Sequence, residues 1–481
     1  MNDLLSCALD LASLKGAHYA DARLIQTAEQ SIGVKNGVVD TLNYTESAGF
    51  GVRVLVAGAW GFASSRDLTR GAVDRVTDLA VQIARASALA PGPAVVLGPP
   101  VTSRGRFVTP LQTDPFTVPT AEKLALLLNA DREMRRVKGV TIGQGNLVFI
   151  REERLFANSE GAYTEQALYE SGGGIVATAV DGDEVQHRSY PNSAGRQQGG
   201  AGWEYIVAMD LPGNAGRVAS EATALLRADP CPVGVETTVI LGGAQVALQV
   251  HESCGHPAEL DRVFGAEAAY AGTSFLTPEK LGNFRYGSEI VNLTADAMRP
   301  TGLGTFGWDD EGVAAGAVPI VRDGIFVGYL TSRETAPQLG QVSNGCMRAS
   351  GWNRIPLVRM PNVSLEPGPW KFDDLVADTD DGIYMETNRS WSIDDKRLNF
   401  QFGVEIGYEI KKGKPGRLLK NCTYTGVTPE FWSRCDAVCD ESRWVLWGTP
   451  NCGKGQPHQV AHTSHGAAPA RFRNIKVGVL I

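Results

Sequence analysis

Apolar and polar residues alternate most regularly between Phe400 and Ile410. Every second position is apolar, which is the repeat of a β-strand that packs one face on a core and turns the other face to solvent. The pattern therefore predicts a half-buried antiparallel strand. Gly403 and Gly407 fall on the outer face, where another backbone could approach closely, and this indicates peptide binding by strand addition.

Shorter patterns predict a small α/β domain in residues 1–95. Apolar residues at helical spacing predict helices at about 3–15 and at Asp67–Ala88. Strands are expected at about 20–27, at Ser31–Val34 and at Gly49–Val56. The segment Ala90–Pro119 is rich in proline and glycine and is interpreted as a linker with an extended part.

Residues 118–228 predict a central α+β domain. Thr120 stands where the N-cap of a helix is expected, and the helical pattern continues to Val137. The other predicted elements are a strand–turn–strand unit at Thr141–Thr164, a strand at Leu168–Val180 and a helix at Glu221–Arg227.

From Cys231 onward strand patterns prevail, so residues 231–481 predict a large, mainly β C-terminal domain. The exception is a segment entered from Val239–Leu241 through a turn at Gly242. The predicted fold class is α+β. An N-terminal α/β unit and a central α+β region precede the β-rich domain, which carries the helix of a candidate metal site.

Length, composition and charge limit the number of domains, the kinds of binding partner and the location that we expect. A chain of 481 residues predicts two or three domains. The net charge of −8 and the absence of a Lys/Arg-rich tract argue against a nucleic-acid partner. The apolar runs are short and the first residues lack a basic region, so neither a membrane span nor an export signal is expected. The expected location is the cytoplasm, where most of the eight cysteines should be buried small apolar residues.

The run from His251 to His256 places two imidazoles around the carboxylate of Glu252. A zinc-dependent hydrolase needs neutral nitrogen ligands and a nearby general base. The histidines are five positions apart, so on a regular α-helix their side chains would point roughly 140° apart. They can share an ion only if a π-type turn or a helix end falls at Ser253–Gly255. Gly255 lowers the conformational energy that such a distortion requires. Chance is the alternative, because the motif has three specified positions.

A catalytic zinc site needs a third protein ligand. Cys254, Glu259 and Asp261 are close in sequence, but Cys254 should point away from the ligand face. Pro257 argues that the helix does not continue to Glu259. Far downstream, Cys452 stands in a segment rich in glycine and proline, which predicts an accessible loop where a metal would favour the thiolate.

Histidines at 458, 462 and 465 follow this cysteine at loose spacing. They could form a second metal site, but a flexible, solvated loop is the favoured interpretation.

Several motifs together resemble the TldD/PmbA metalloprotease family, on its TldD side, over the length of the chain. The motifs are His251–His256 followed by Glu259-Leu260-Asp261, Gly51–Val54 with Gly58–Ala63, Asn158–Gly161, Asn344-Gly345 with Arg348, and Cys452–Gln456.

The resemblance implies a metal site formed by His251, His256 and Cys452, with Glu252 as the general base. The implied metal is zinc, although iron could use the same ligands. It also implies a dimer, either with a PmbA/TldE-like partner subunit or with a second copy. The implied substrates are unfolded or extended peptides held by main-chain pairing.

Departures from the family pattern suggest that the peptidase serves a specialised natural-product pathway. Cys346 and Cys439 stand where histidine and glycine are expected, and the C-terminus lacks a Gly-Gly end. Two alternatives remain open. One is an amide hydrolase or amide-exchange enzyme on a small metabolite conjugate, which would use the same metal residues. The other is a non-catalytic partner or scaffold subunit, which would be expected to lose His251, Glu252 or Cys452.

Overall fold

The computed structural model describes residues 2–455 and 457–480. Its N-terminal region alternates helices and strands as predicted, and the two short strands expected within residues 20–34 form one continuous strand. The elements are α1 (Asn2–Leu14), β1 (Tyr19–Lys35), β2 (Val38–Val56), β3 (Ala59–Ser65) and α2 (Arg70–Ser87). The Thr69 hydroxyl caps α2 by accepting from the backbone N–H of Ala72 at 3.3 Å.

The central region contains both helices and long strands. Its elements are β4 (Arg104–Val108), α3 (Thr120–Arg135), β5 (Val140–Asn158), β6 (Tyr163–Asp181), β7 (Glu184–Tyr190), β8 (Gln197–Gly199), α4 (Trp203–Met209) and α5 (Leu211–Leu225). The prediction of Thr120 as N-cap is wrong, because Pro119 takes the cap position and Thr120 is already helical.

The N-terminal and central regions share one sheet. Its strand order is β3-β2-β1-β5-β6-β4, with β7 and β8 also paired to β6. The pairing of β1 with β5 extends from Asp21↔Asn158 to Lys35↔Gln144 and joins the two regions by backbone hydrogen bonds. Helices α1 and α2 cover one apolar core and α3, α4 and α5 cover another. The division at residues 1–95 and 118–228 stays a prediction about folding units.

The C-terminal region is mainly β, and the mixed α+β fold class is confirmed. Its strands are β9 (Asp229–Pro230), β10 (Val235–Leu241), β11 (Leu293–Asp296), β12 (Ala317–Arg322), β13 (Ile325–Phe326), β14 (Met347–Arg348), β15 (Leu357–Val358), β16 (Val363–Leu365), β17 (Asp381–Ile393), β18 (Asn399–Lys411), β19 (Lys414–Lys420), β20 (Cys422–Val427), β21 (Cys435–Val438), β22 (Val445–Lys454), β23 (Gln459–Ala467) and β24 (Ala470–Val479). Its α-helices are α6 (Gly243–Val250), α7 (Leu260–Val263), α8 (Phe372–Ala377) and α9 (Thr428–Ser433).

The predicted strand at Phe400–Ile410 is present as β18, but it is not half-buried. β18 pairs with β17 on one side and with β19 and β20 on the other. Gly403 and Gly407 are buried, so the strand offers no free edge for a peptide near them. On the face expected to be solvated, the Glu405 carboxylate accepts hydrogen bonds from the Ser189 N–H and hydroxyl at 2.7 Å. Packing of the central region against β18 covers the face that the alternation assigned to solvent.

The site lies where the C-terminal sheet meets a helix and a hairpin. β10 pairs in parallel with β17 and leads through Gly242 into α6, which packs against the β22–β23 hairpin. Gly243 allows this approach, because a Cβ there would lie 2.9 Å from the carbonyl oxygen of Ala467. Among the helices of the described residues, none combines the length and the apolar character that crossing a membrane requires.

Candidate metal centre

The two histidines of the motif come together because α6 widens. Residues His251–Gly255 form a π-helical turn that continues α6, and a 3₁₀ turn follows at His256–Ala258. The two imidazole rings lie edge to face with their centroids 4.8 Å apart. The π-type turn predicted from the five-residue spacing is confirmed, as is the end of the helix near Pro257.

Two buried aromatic side chains hold the π-turn. The Tyr286 hydroxyl donates to the Ser253 carbonyl at 2.8 Å, and the Trp432 Nε1–H donates to the Ser253 hydroxyl at 2.9 Å. The first bond satisfies a carbonyl at the irregular turn, where backbone pairing is interrupted. Gly255 has an ordinary helical φ of −60°. It is required for another reason, because a Cβ there would lie 2.0 Å from the Met360 sulfur.

Cys452 reaches the histidines from a strand. It belongs to β22 and is 3 % exposed, so the predicted accessible loop is wrong. Pairing with β23, at Cys452↔Ala461, fixes its position. Its Sγ lies 3.5 Å from His256 Nε2, and donor atoms of Cys452, His251 and His256 all lie within 4.8 Å of one another.

Hydrogen bonds on the far side of each imidazole orient the two rings. His256 Nδ1 donates to Glu259 Oε2 at 2.9 Å, and Glu259 is fully buried beside the Lys454 ammonium at 3.3 Å. Glu259, considered above as a third ligand, thus contacts His256 directly. This leaves the Nε2 lone pair of His256 free to face Cys452.

His251 is oriented through a second histidine. Its Nδ1 lies 2.7 Å from His465 Nε2, and His465 Nδ1 lies 2.8 Å from the Val363 carbonyl oxygen. Because the carbonyl can only accept, His465 carries its proton on Nδ1 and accepts from His251 at Nε2. The Nε2 lone pair of His251 is then free for an ion. The prediction of a solvated loop is wrong for residues 462 and 465, which lie in β23.

The electrostatics favour a thiolate between the histidines. Burial alone would raise the pKa of the Cys452 thiol, but electrostatic interactions with His256, His251 and Arg359 hold that pKa well below its usual value. Burial holds the pKa of His256 well below its usual value. Burial would also lower the pKa of His251, but the Cys452 thiolate raises it. A thiolate and unprotonated imidazole nitrogens are the forms that bind metal ions.

Glu252 lines a cavity beside these residues. The cavity has a volume of 270 Å³ and is lined by His251, His256, Cys452 and Arg397 as well as Glu252. Arg397 Nη1 donates to Glu252 Oε2 in a short ion pair. Glu252 is therefore held at the cavity wall next to the cluster.

The remaining candidates near the motif lie outside the cluster. Cys254 is buried in the apolar core, where burial raises the pKa of its thiol to about 12, and it points away as predicted. Asp261 accepts from Lys454 Nζ at 2.7 Å. The roles of Arg397 and Lys454 were not predicted. Lys454 follows Cys452 by two positions in the family-like motif, whereas no pattern in the sequence distinguishes Arg397.

The chemistry of the donor set and one of its separations fit a tetrahedral metal ion. Bonds of roughly 2.0–2.3 Å from nitrogen and sulfur to zinc place neighbouring ligand atoms about 3.5 Å apart. The separation of 3.5 Å between Cys452 Sγ and His256 Nε2 agrees with that value. Three donors beside an open cavity leave a fourth position, which is the arrangement of catalytic rather than structural zinc sites.

Two imidazoles and a thiolate next to a carboxylate are the groups used by metal-dependent hydrolases. The sequence matches the PmbA/TldA metallopeptidase domain 1 over residues 20–84, the central domain over 113–228 and the C-terminal domain over 235–479. The chain belongs to this PmbA/TldD metallopeptidase family.

Proteins named as metalloproteases and a solved structure of the same fold are similar to this chain. A metalloprotease of Methanocaldococcus jannaschii is 28 % identical over 88 % of this chain and 90 % of its own length. A zinc metalloprotease TldD homolog of Saccharolobus solfataricus is 28 % identical over 51 % of this chain and 52 % of its own length. The crystal structure of TldE from Thermococcus kodakarensis has a TM-score of 0.73 with 16 % identity, covering 99 % of this chain and 100 % of that chain. This last likeness is one of fold.

Proposed function

We propose that this protein is a metal-dependent peptidase in which His251, His256 and Cys452 hold a zinc ion and Glu252 is the general base. The observation that carries the proposal is the buried cluster of donor atoms within 4.8 Å of one another, at the wall of a cavity that Glu252 also lines. The names of the relatives support a metalloprotease, and that of the Saccharolobus solfataricus relative supports zinc over iron.

The residues of the cluster prepare the site for a divalent cation. One thiolate and two neutral imidazoles would leave a net charge of about +1 at the centre. A zinc ion bound there supplies Lewis acidity, which polarises a carbonyl group and acidifies water. Glu259 and His465 engage the Nδ1 atoms of the two rings, which leaves both Nε2 lone pairs available as ligands that would hold the ion.

Glu252 performs the proton transfers. Its carboxylate accepts a proton from the attacking water and then passes that proton to the nitrogen of the departing amine. The position of Glu252 supports this role. Glu252 lies in the π-turn directly after His251, and its side chain lines the same cavity as the three donor residues.

An extended peptide is the substrate class that we propose. The cavity at the cluster shares lining residues Ser193, Arg196, Asn388 and Trp391 with a neighbouring cavity of 620 Å³. The two adjoining cavities together exceed the needs of one side chain and suit several residues of an unfolded chain. A role in a specialised natural-product pathway, suggested by the sequence departures, is compatible with the same two cavities.

Metal analysis with paired variants tests the proposal. We expect about one zinc per wild-type chain, loss of that zinc in Cys452→Ala, and retained zinc with abolished peptide hydrolysis in Glu252→Gln. Retention of a full zinc equivalent by Cys452→Ala would contradict the ligand set. Normal hydrolysis by Glu252→Gln would contradict the general base.

A substrate panel tests the proposed substrate class. Unfolded peptides of about ten residues are compared with small amides of single amino acids, using the zinc-loaded wild-type chain and Glu252→Gln. Cleavage of the peptides alone supports the proposal. Preferential cleavage of the small amides would replace the peptidase assignment with that of an amide hydrolase on a metabolite conjugate.

We also propose that the chain works as a dimer with a TldE-like subunit. The shared fold with TldE of Thermococcus kodakarensis supports a pair of related subunits. Light scattering on the chain alone and after mixing with a TldE-like protein from the same source measures the state directly. A stable homodimer that does not exchange with that protein would overturn the mixed pair.

A further inference from the structure

Arg397 lies in a turn beside the site, and hydrogen bonds with two side chains stabilise that turn. The turn joins β17 to β18, and the Asp394 carboxylate accepts from the backbone N–H groups of Leu398 at 2.8 Å and Asn399 at 3.0 Å. The Thr428 hydroxyl donates to the Arg397 carbonyl at 2.8 Å. Arg397 itself has a φ of 63°, in the left-handed region. That conformation costs a non-glycine residue on the order of 1 kcal/mol and, at a site, is typical of functional positions.

The guanidinium of Arg397 has hydrogen-bonding capacity to spare. Nη1 donates to Glu252 Oε2, and Nε is buried without a hydrogen-bond partner among the described residues. A guanidinium carries five N–H donors, so N–H groups of Nη1 and Nη2 remain for a ligand in the cavity although Nε is inaccessible. The side chain is 14 % exposed and lines the cavity that contains Glu252 and the metal-binding cluster.

We propose that Arg397 is a catalytic residue that donates hydrogen bonds to the oxygen of the scissile carbonyl as negative charge develops on it. The inference rests on the proposed peptidase function and adds the oxyanion donor that this function requires. In the same position, the bond from Nη1 holds one oxygen of Glu252 and so orients the carboxylate in the cavity.

The geometry supports this role through proximity. A general base and the carbonyl under attack both lie within about 3 Å of the attacking water. Because Arg397 contacts the base and lines the same cavity, its guanidinium lies in the neighbourhood of that carbonyl oxygen. Removal of one oxyanion donor typically lowers kcat by about 10²–10³-fold. A group that acts only in the transition state lowers kcat and leaves KM nearly unchanged.

Steady-state kinetics on the zinc-loaded full chain, with an internally quenched unfolded peptide as substrate, tests the assignment. For Arg397→Gln we expect kcat to fall by roughly 10²–10³-fold, with KM within about threefold and zinc content unchanged. Arg397→Lys keeps the charge but loses the fork of donors, so a fall of about tenfold in kcat is expected. The lysine variant also serves as a second test if Arg397→Gln fails to fold.

Arg417→Gln is the matched control. Arg417 lies in β19 and pairs with Glu409 at 3.0 Å and Asp229 at 2.7 Å on an exposed surface outside the cavity lining. We expect its kcat to stay within about twofold of wild type, since an exposed ion pair contributes little.

Three results would overturn the assignment. The first is a kcat of Arg397→Gln within about threefold of wild type. The second is a rise in KM at constant kcat, which would make Arg397 a binding group for a substrate carboxylate. The third is loss of zinc from the variants, which would make Arg397 structural. Failure of the proposed function is a separate outcome, because the wild-type chain would then fail to cleave the peptide, or Glu252→Gln would cleave it normally.

Discussion

Glu259 illustrates at the residue scale how a side chain outside the donor cluster can set its affinity. Its carboxylate accepts from His256 and is surrounded by Lys454, Arg262 and Arg359 at 3.3–4.0 Å. A buried carboxylate is stable only when it is paired in this way. The same charge strengthens the hydrogen bond that orients the imidazole and raises its basicity as a ligand.

Glu259→Gln is expected to weaken zinc binding by about 10–100-fold. The amide can still accept from His256, but the negative charge that polarises the ring is gone. Competition with a zinc chelator, read by elemental analysis, measures the affinity. Asp261→Asn is the matched control, because Asp261 also accepts from Lys454 but does not touch His256. Equal affinities of Glu259→Gln and wild type would show that the carboxylate has no part in the site.

At the scale of elements, the π-turn converts a five-residue spacing into a shared ligand face. Residues outside the turn contribute to its stability. Tyr286 and Trp432 supply the hydrogen bonds to Ser253, and Met360 packs where Gly255 has no side chain. The turn therefore depends on residues that are 33 to 179 positions away in the chain.

Gly255→Ala tests that dependence. The φ at this position suits alanine, so the cost comes from the contact with the Met360 sulfur, and overpacking of this kind destabilises by about 1–3 kcal/mol. We expect a lower free energy of unfolding and weaker zinc retention. Combining the change with Met360→Ala should recover part of the loss, and denaturant unfolding of the single and double variants measures the coupling.

Gly216→Ala is the control for the glycine-to-alanine change itself. Gly216 lies within α5, and a Cβ there would meet nothing within 4 Å. This substitution should raise stability by up to about 1 kcal/mol, because alanine favours the helix. If both glycine variants were stabilised alike, the packing explanation for Gly255 would be wrong.

At the scale of the whole molecule, an ion pair connects the central region to the C-terminal region. His462 of β23 lies 2.6 Å from the Glu170 carboxylate of β6 through its Nδ1. Burial alone would raise the pKa of Glu170, but His462 lowers it. Burial would lower the pKa of His462, but Glu170 raises it. Both shifts favour the charged pair in the folded state.

The pair should make stability depend on pH. The raised pKa of His462 contributes stability that is fully present below the unfolded-state value of about 6.5 and is lost as pH rises through the folded-state value. The lowered pKa of Glu170 contributes above about 4.3 and is lost as pH falls through its folded-state value. Above pH 6.5 we expect the wild-type stability advantage over His462→Gln to decline.

Denaturant unfolding of both proteins between pH 5.5 and 8.5 gives this difference, in which the titration of other groups cancels to first order. His18→Gln, at an exposed histidine, is the control for replacing a histidine with glutamine. A constant difference between wild type and His462→Gln across this range would contradict the ion pair.

The local patterns of the chain determined much of what the molecule contains. The N-terminal helices, the strands of the central region, the β-rich C-terminal region and β18 follow from apolar periodicity, because that periodicity reports which face of each element meets a core. The five-residue spacing of His251 and His256 required a widened turn, since no regular helix could bring both rings to one point. The identities of the expected donors also come from the sequence, through residue chemistry and the family-like motifs.

Only the tertiary structure decided how these parts meet. It joined the N-terminal and central regions in one sheet and buried the polar face of β18 under the central region. It also placed Cys452 in a strand, with His465 behind His251 and Arg397 beside Glu252. The physical reason is the same in each case: these contacts join residues far apart in the chain, and their partners are selected by burial and hydrogen bonding between elements. Local periodicity does not predict which distant residues pair with one another.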